Sequence, residues 1–585
     1  MFNRKKSRNR FASQNAVRPR FSASIELVMF LTSAFWAISA NWGFYSAALK
    51  GRDFSSASAI GFAVLLFAMV LGLHMLLAVV TNRWTVKPVL GLLLIAGAAA
   101  SFYTNAFGVY LDPSMIRNVV RTDVAEAREL LSWRFAFHML VFAGLPLLLL
   151  WRVHITHRPL ARAVIVRIGF LLVGFLLTAG AIFASFQQFS SLMRNQKELR
   201  YLITPANLLW SVGSVIAAEA KTAAKPRQAI GLDAQFGAIA ATRTKPLIVV
   251  LVVGETVRAA NWGLNNGQLT NPVRQTTPRL AQLDVINFSQ VKSCGTNTEV
   301  SLPCMFAPIG RRNYDEATIR GSESLLHVVN RAGVSVQWRD NQSGCKGVCE
   351  GLPTEFVKPD NAPDFCDADR CLDEGLLVGL EARLKAAKAK VNGAQLPVSQ
   401  LPVSQLPASQ SPVTQLLVLH QLGNHGPSYY KRYPKAFSQF VPECRSDDLH
   451  RCNIQEITNA YDNAILYTDH ILANLIVRLK SEEADIDSAV IYVSDHGESL
   501  GENGLFLHGI PYAIAPSVQT QVPMVMWASK GLSQATATDM SCIKAKGKES
   551  IAHDHLFHTL LGLLDVKTAL YDKNYDLGAS CRQIK

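Results

Sequence analysis

Residues 247–255 read LIVVLVVGE, an uncharged run dominated by Val, Ile and Leu that ends in an acid. A run this short and apolar fits a strand buried on both faces. QLLVLHQLGNH (415–425) and AVIYVSDHGE (489–498) repeat the pattern, each passing from apolar to ionisable residues at its C-terminal end. Between them, NIQEITNAYDNAILYTDHILANLIVRLK (453–480) is amphipathic at the helical period. Strands alternating with helices predict an α/β domain with a mostly parallel sheet, in which ligands bind beyond the carboxyl ends of the strands.

All three runs deliver chemistry to that edge. Glu255 closes the first. Asp495 and His496 stand side by side after the third, and His508 follows in GLFLHG. His420 and His425 flank the end of the middle run. Singly, each is an ordinary polar loop residue. Together, carboxylates and imidazoles from separate strands fit a divalent cation, and the mixture of nitrogen and oxygen donors favours zinc over magnesium or calcium. The loop VKSCGTNTEVSLPC (291–304) holds four hydroxyls, Ser293, Thr296, Thr298 and Ser301, between two cysteines. A hydroxyl beside such a metal becomes an alkoxide near neutral pH, with no need of a Ser-His-Asp arrangement. A bridge between Cys294 and Cys304 would keep the loop ordered between turnovers. Spacing alone leaves Thr296 and Thr298 both open as the nucleophile.

The first third of the chain is of another kind. The 585 residues are 49% hydrophobic with a net charge of +14, and residues 1–20 hold seven Lys/Arg and no acid. A basic tail suits nucleic acid, but an apolar stretch follows at once, so a topological signal is the better reading and no nucleic-acid partner is expected. Apolar stretches at 26–48, 58–80, 88–104, 135–151 and 163–185 are each near the length of a membrane span. The first lacks the short core and small-residue cleavage site of a signal peptide. A cytoplasmic tail and five spans, with Arg152, Arg158 and Arg162 on the cytoplasmic side, put everything after residue 185 outside. The cysteines agree: all ten lie after residue 290, in close pairs 294/304, 345/349, 366/371 and 444/452, leaving Cys542 with Cys581. That is a disulfide framework in an oxidising compartment, and no second pair repeats the four-residue step of Cys345 and Cys349 as a zinc ribbon would.

The expected organisation is therefore a basic cytoplasmic tail (1–20), a five-span domain (21–185), an interfacial helix and linker (186–245) and a catalytic domain (246–585). Residues 105–134 join the third and fourth spans on the outer side. LDPSMIRNVVRTDVAEARELL reads there as one helix, capped by Asp112, with Asn118, Thr122 and Glu126 on one face. The low-complexity segment QLPVSQLPVSQLPASQSPVTQ (395–415) is expected to be a flexible, polyproline-rich surface loop.

VVGETVR, SCGTNTEVSLPCMF, DNQSGCKGVC, HQLGNHGPSYYKRYP and SDHGESLGENGLFLHGIPYAIAP resemble the phosphoethanolamine transferases that modify lipid A, members of the alkaline phosphatase/sulfatase superfamily. The resemblance spans nearly the whole chain. It implies a multi-pass protein of the bacterial inner membrane, monomeric, with its sulfatase-like domain in the periplasm. It places the nucleophile at Thr298 and zinc ligands at Glu255, Thr298, Asp495 and His496. It places substrate-phosphate or second-metal residues at Lys346, His425, Glu498 and His508, where His425 or His508 would protonate a leaving group or hold a second zinc. It places head-group contacts at Asn118, Thr122 and Glu126. The implied reaction moves phosphoethanolamine from phosphatidylethanolamine to a lipid A phosphate through a covalent phosphoethanolamine-threonine, and with it polymyxin resistance. The nearest alternatives are transfer to core sugars and phosphoglycerol transfer. A sulfatase would need a Cys or Ser in a Cys/Ser-x-Pro-x-Arg setting, which the threonine loop lacks, and a non-catalytic sensor would be expected to have lost a ligand. Two features depart from the family pattern: the 395–415 repeat, and Glu299, a carboxylate where a small or apolar residue is expected.

Overall fold

The structure, a computed structural model, describes residues 21–122, 124–223, 226–241, 243–265, 274–367, 370–391 and 413–582. The readings of 1–20 as a basic tail and of 395–412 as a flexible repeat fall outside them. The chain forms two compact units, one of Met1–Phe102 with Trp133–Leu208, the other of Tyr103–Ser132 with Leu209–Lys585.

Among the described residues, four helices are long and apolar enough to cross a membrane: Ala57–Val80, Val86–Phe107, Trp133–Arg152 and Leu160–Ala184. The stretch expected as one span at 26–48 is a bent pair, Ile25–Ser39 and Trp42–Ala48, meeting at 54°; counted as one span it makes five. The bend has a local cause. The buried Asn41 amide donates to the Trp36 carbonyl (2.9 Å) and the Thr204 carbonyl (2.8 Å), and its Oδ1 accepts from the Thr204 N–H (3.0 Å). A side chain so engaged with backbone competes with helix continuation. Beyond the last span, Phe186–Asn195, Lys197–Leu202 and Ala206–Ala223 are helical.

The second unit is built on an eight-stranded sheet. In spatial order its strands are Ser550–Ala552, Ile286–Lys292, Gln521–Ala528, Asp487–Ser494, Leu247–Gly254, Thr414–His420, Ser335–Asp340 and Thr354–Phe356. Gln521–Ala528 runs antiparallel to both neighbours; every other pairing is parallel. Leu247–Gly254 and Asp487–Ser494 are buried at every position, which is why both read as unbroken apolar runs. The 27-residue helix Ile454–Lys480 starts on a capping box of Asn453 and Glu456 and buries Ile457, Tyr461, Ile465 and Leu472. Five disulfides join the pairs expected from the sequence: 294–304, 345–349, 366–371, 444–452 and 542–581.

The single helix expected over residues 111–131 is a correction. Pro113–Arg121 and Val124–Glu129 are separate helices, and Thr122 between them is extended (ψ 132). The Thr122 hydroxyl donates to the Asn118 carbonyl at 2.8 Å, a local bond that helps end the helix there. Asn118, Thr122 and Glu126 therefore do not share one continuous helical face.

Candidate active site

Register builds the centre of the site. Gly254 pairs with Ser494 in parallel strands, so the next residues, Glu255 and Asp495, leave the sheet side by side, with His496 one step on. Ligand atoms of Glu255, Asp495 and His496 all lie within 4.8 Å of one another, and all three residues are buried. Thr298 opens the helix Thr298–Met305, whose cap is the Asn297 side chain accepting from the Val300 N–H. Its hydroxyl stands 3.2 and 3.1 Å from the two Glu255 oxygens and 3.4 Å from His496 Nε2.

Neighbours fix how these groups point. The Gly497 carbonyl takes the hydrogen bond of His496 Nδ1 (2.9 Å), which assigns the proton to Nδ1 and leaves Nε2 facing Glu255 and Asp495. Asp495 Oδ1 accepts from the backbone N–H of His496 (2.7 Å) and of Thr256 (3.1 Å). The Thr256 hydroxyl donates to Glu255 Oε1 at 2.7 Å from a left-handed backbone (φ 64). Gly423 presses on the strand end from the other side: a Cβ there would meet the Glu255 carbonyl oxygen at 2.6 Å. Two further links tie the loop carrying Thr298 to the end of the strand before Asp495. The Ser301 hydroxyl donates to the Asp495 carbonyl at 2.5 Å. His553 accepts from the Cys294 N–H (3.1 Å) and donates to the Ser494 carbonyl (3.0 Å). Burial pushes His553 down to about 3, so it is neutral at every working pH, as these two bonds require.

The charges at the centre are out of balance. Burial raises Asp495, and the neighbouring Glu255 carboxylate raises it further. Burial also works against the Glu255 charge, but His496 outweighs it and lowers Glu255. Asp495 Oδ2, fully buried, accepts no hydrogen bond among the described residues. Two buried carboxylates, one with an oxygen to spare, beside an imidazole with Nε2 turned inward form a donor set that fits a divalent cation.

A second ring of residues adjoins the first. Glu498 Oε2 accepts from His508 Nδ1 (2.8 Å) and Oε1 from the Tyr429 hydroxyl (2.6 Å). The His508 ring lies 4.4 Å from that of His496 and 5.5 Å from that of His425. His425 Nε2 meets Glu126 Oε1 at 2.9 Å. Burial alone would depress His425, but the Glu126 carboxylate outweighs it and raises it to about 9. Lys346 sits on the loop closed by Cys345–Cys349, its ammonium donating to the Ser343 hydroxyl (2.6 Å), and its charge helps keep Glu126 low. The other histidine of the middle strand, His420, turns to Asp340 (2.9 Å), which also accepts from the Trp338 indole (2.7 Å).

Glu255, Thr298, Asp495, His496, His425, Glu498 and His508 thus converge, and Glu126 joins them through His425. Asn118 and Thr122 are placed by their bond to each other, on either side of the helix end. Thr296 Oγ1 turns away from the cluster and donates to the Ile510 carbonyl (2.7 Å). Sequence reasoning missed Thr256, Tyr429 and His553, and read Ser301 only as one of four hydroxyls in the loop. Ser301, Tyr429 and His553 bond to partners distant in sequence, and Thr256 reaches its neighbour Glu255 by its hydroxyl and the distant Asp495 by its N–H, so nothing in the local pattern marks their roles.

Comparison with known proteins places this fold. The sulfatase family model matches residues 248–566, and that of phosphoethanolamine transferase EptA/EptB matches residues 66–220. Phosphoethanolamine transferase EptA of Escherichia coli K12 is 35% identical over 521 residues, 88% of each chain. Phosphatidylethanolamine transferase Mcr-2 of Escherichia coli is 37% identical over 560 residues, 94% of this chain and 96% of that one. The integral membrane lipooligosaccharide phosphoethanolamine transferase A from Neisseria meningitidis has the same fold, with a TM-score of 0.87 at 35% identity over 96% of this chain and 100% of that one. A membrane-spanning unit joined to a sulfatase-like domain defines the class. Within it, the chain belongs to the phosphoethanolamine transferase family. It is an integral membrane transferase of phosphoethanolamine, with its catalytic domain in the periplasm.

Proposed function

We propose that this enzyme takes phosphoethanolamine from phosphatidylethanolamine onto Thr298 and passes it to a phosphate of lipid A. The observation that carries the reading is the Thr298 hydroxyl 3.1–3.2 Å from both oxygens of the buried Glu255 carboxylate, at the edge of the Glu255–Asp495–His496 set. In the first step the Thr298 hydroxyl gives up its proton to water, its oxygen forms a bond to the donor phosphorus, the phosphorus–oxygen bond to diacylglycerol breaks, and the diacylglycerol oxygen takes a proton. His425, held protonated by Glu126, and His508, oriented by Glu498 and Tyr429, are placed to supply it. In the second step a lipid A phosphate oxygen displaces Thr298, whose oxygen recovers its proton. Glu255, Asp495, His496 and Thr298 would hold one zinc ion, the metal their nitrogen and oxygen donors favour. Zinc bound there would lower the pKa of the threonine hydroxyl and neutralise charge on the phosphate oxygens.

The acceptor rests on the relatives. The Neisseria enzyme is named for lipooligosaccharide, and a 26% identical Escherichia coli protein is a Kdo(2)-lipid A phosphoethanolamine 7''-transferase. Capping a lipid A phosphate with an ammonium group removes negative charge that cationic polymyxins need, so resistance follows. The test has two arms. Intact-protein mass spectrometry after exposure to phosphatidylethanolamine and zinc should show one added phosphoethanolamine mapping to Thr298; an adduct on Thr296 or Ser301 overturns the nucleophile. Lipid A from cells with and without the protein should differ by phosphoethanolamine on phosphate. A gain on core sugars, or of phosphoglycerol, overturns the acceptor or the donor group.

A further inference from the structure

The residue after the nucleophile is a fully buried carboxylate, and it turns to partners of its own. Glu299 Oε1 accepts from Arg121 Nη1 at 2.5 Å and lies 2.8 Å from Arg320 Nη2, which also donates to the Glu299 carbonyl at 2.7 Å. Thr298 bonds instead to Glu255, so consecutive side chains on the first turn of one helix are held by different bodies of structure. Arg121 ends the helix Pro113–Arg121, and its other arm reaches Glu219 at 3.0 Å. Arg320 also bonds Glu316 at 3.0 Å, and Arg117, one turn before Arg121, pairs with Glu316 as well. Three arginines thus face three glutamates, and the network is neutral as a whole.

A merely structural reading accounts for part of this, since an acid in a helix's first turn complements the backbone dipole. It does not account for full burial against two guanidinium groups, one brought by the segment between two membrane spans. We propose that Glu299 is a positioning residue: clamped by Arg121 and Arg320, it sets the place of the Thr298 hydroxyl against Glu255 and makes the helix Pro113–Arg121 part of the catalytic apparatus. The inference rests on Thr298 being the nucleophile. Arg121 is the better lever for a test, because it is 39% exposed and its truncation leaves the core intact. Removing it leaves the Glu299 carboxylate buried with one cation fewer, so the first turn must shift to rebalance.

The experiment uses the full-length protein in phospholipid vesicles with zinc, comparing wild type, Arg121→Ala, Arg121→Lys, Glu299→Ala and the double alanine variant. Single-turnover formation of the phosphoethanolamine adduct, the KM for phosphatidylethanolamine and the Tm are measured for each. Arg121→Ala and Glu299→Ala should each slow adduct formation roughly tenfold or more, the cost of a displaced nucleophile, with KM within about twofold. The double variant should be no slower than the worse single one, because both residues act through one contact. Arg121→Lys, which keeps the charge, should recover most of the rate. Rates near wild type in both single variants, losses that multiply in the double variant, or losses that track the Tm across the series overturn the inference. Absence of any adduct on the wild type overturns the Thr298 reading and this inference with it; an adduct on Thr298 with unaffected variants overturns this inference alone.

Discussion

Thr298 and Thr296 are two residues apart in one loop and have opposite surroundings. Thr298 Oγ1 faces Glu255 and His496; Thr296 Oγ1 is spent on the Ile510 carbonyl. Thr298→Ala should therefore reduce transfer to background while costing only about 1 kcal/mol of stability, the net worth of one hydrogen bond. Thr298→Ser should keep partial activity, since the oxygen remains without the methyl that restricts its rotamer. Thr296→Ala should lose a similar amount of stability and retain most activity; equal loss of transfer in the two alanine variants would sink the assignment. The metal set predicts a second result. Asp495 Oδ2 is buried without a hydrogen bond, and Asp495 and Glu255 repel. Adding zinc to chelator-treated protein should raise its Tm, because a cation bound to the folded state alone stabilises it. Asp495→Asn should abolish the zinc-dependent rise while leaving the metal-free Tm equal to or above wild type. A rise that survives in that variant would place the metal elsewhere.

At the scale of elements, the strands were readable and the connections were not. Leu247–Gly254 and Asp487–Ser494 are buried on both faces, so their composition alone marks them, and their C-terminal Glu255 and Asp495–His496 follow as site residues. The break at Thr122 and the bend at Asn41 depend on side-chain bonds to backbone, which periodicity does not record. His553 and Tyr429 were invisible for a related reason: their roles lie in partners at Cys294, Ser494 and Glu498, fixed only once the sheet has formed. The disulfides were readable because four of the five close short loops. Cys294–Cys304, ten residues apart, encloses Thr298 and by loop entropy is worth about 3 kcal/mol. Replacing both cysteines with alanine should lower the Tm by several degrees and lower the single-turnover rate further than the Tm change explains, because the loop must then be ordered in each cycle. An unchanged rate at a temperature well below the Tm would show that the helix cap and the Ser301 bond suffice.

The Glu126–His425 contact, too, joins two elements, and it carries a pH signature. Burial opposes charge on both groups, but each partner outweighs it: His425 is raised from 6.5 to about 9, and Glu126 is lowered from 4.5. The stability His425 contributes is fully present below its ordinary value and is lost as pH rises through about 9. That of Glu126 is present above its ordinary value and lost as pH falls through its lowered one. In metal-free protein, the Tm of wild type should exceed that of Glu126→Gln at about pH 7, and the gap should close above about pH 9. A gap that widens on the alkaline side would reverse the sign of the coupling.

At the scale of the whole molecule, the catalytic unit is not one stretch of chain. Residues 103–132, which run from the end of one candidate span to the start of the next, belong to the same compact unit as residues 209–585. That segment carries Glu126 to His425, Glu129 to Arg432 (2.6 Å) and Arg370 (2.5 Å), Arg121 to Glu299 and Arg117 to Glu316. Arg432 and Glu299 are both buried, so a domain cut off at residue 209 leaves each short of a counter-charge that water does not fully replace. The fragment 209–585 keeps Glu255, Thr298, Asp495 and His496 and should show the zinc-dependent rise in Tm. It should nevertheless melt below the full-length protein. On a water-soluble phosphoethanolamine diester, for which membrane anchoring gives no advantage, it should form the Thr298 adduct roughly tenfold or more slowly, because the helix carrying Thr298 and the His425 imidazole have lost their outer partners. Full-length protein carrying Glu126→Gln should fall between the two, since it loses one of those contacts and keeps the others. If the fragment matches the full-length rate on the soluble diester, residues 103–132 serve only to bind lipid, and the catalytic unit ends where the soluble domain does.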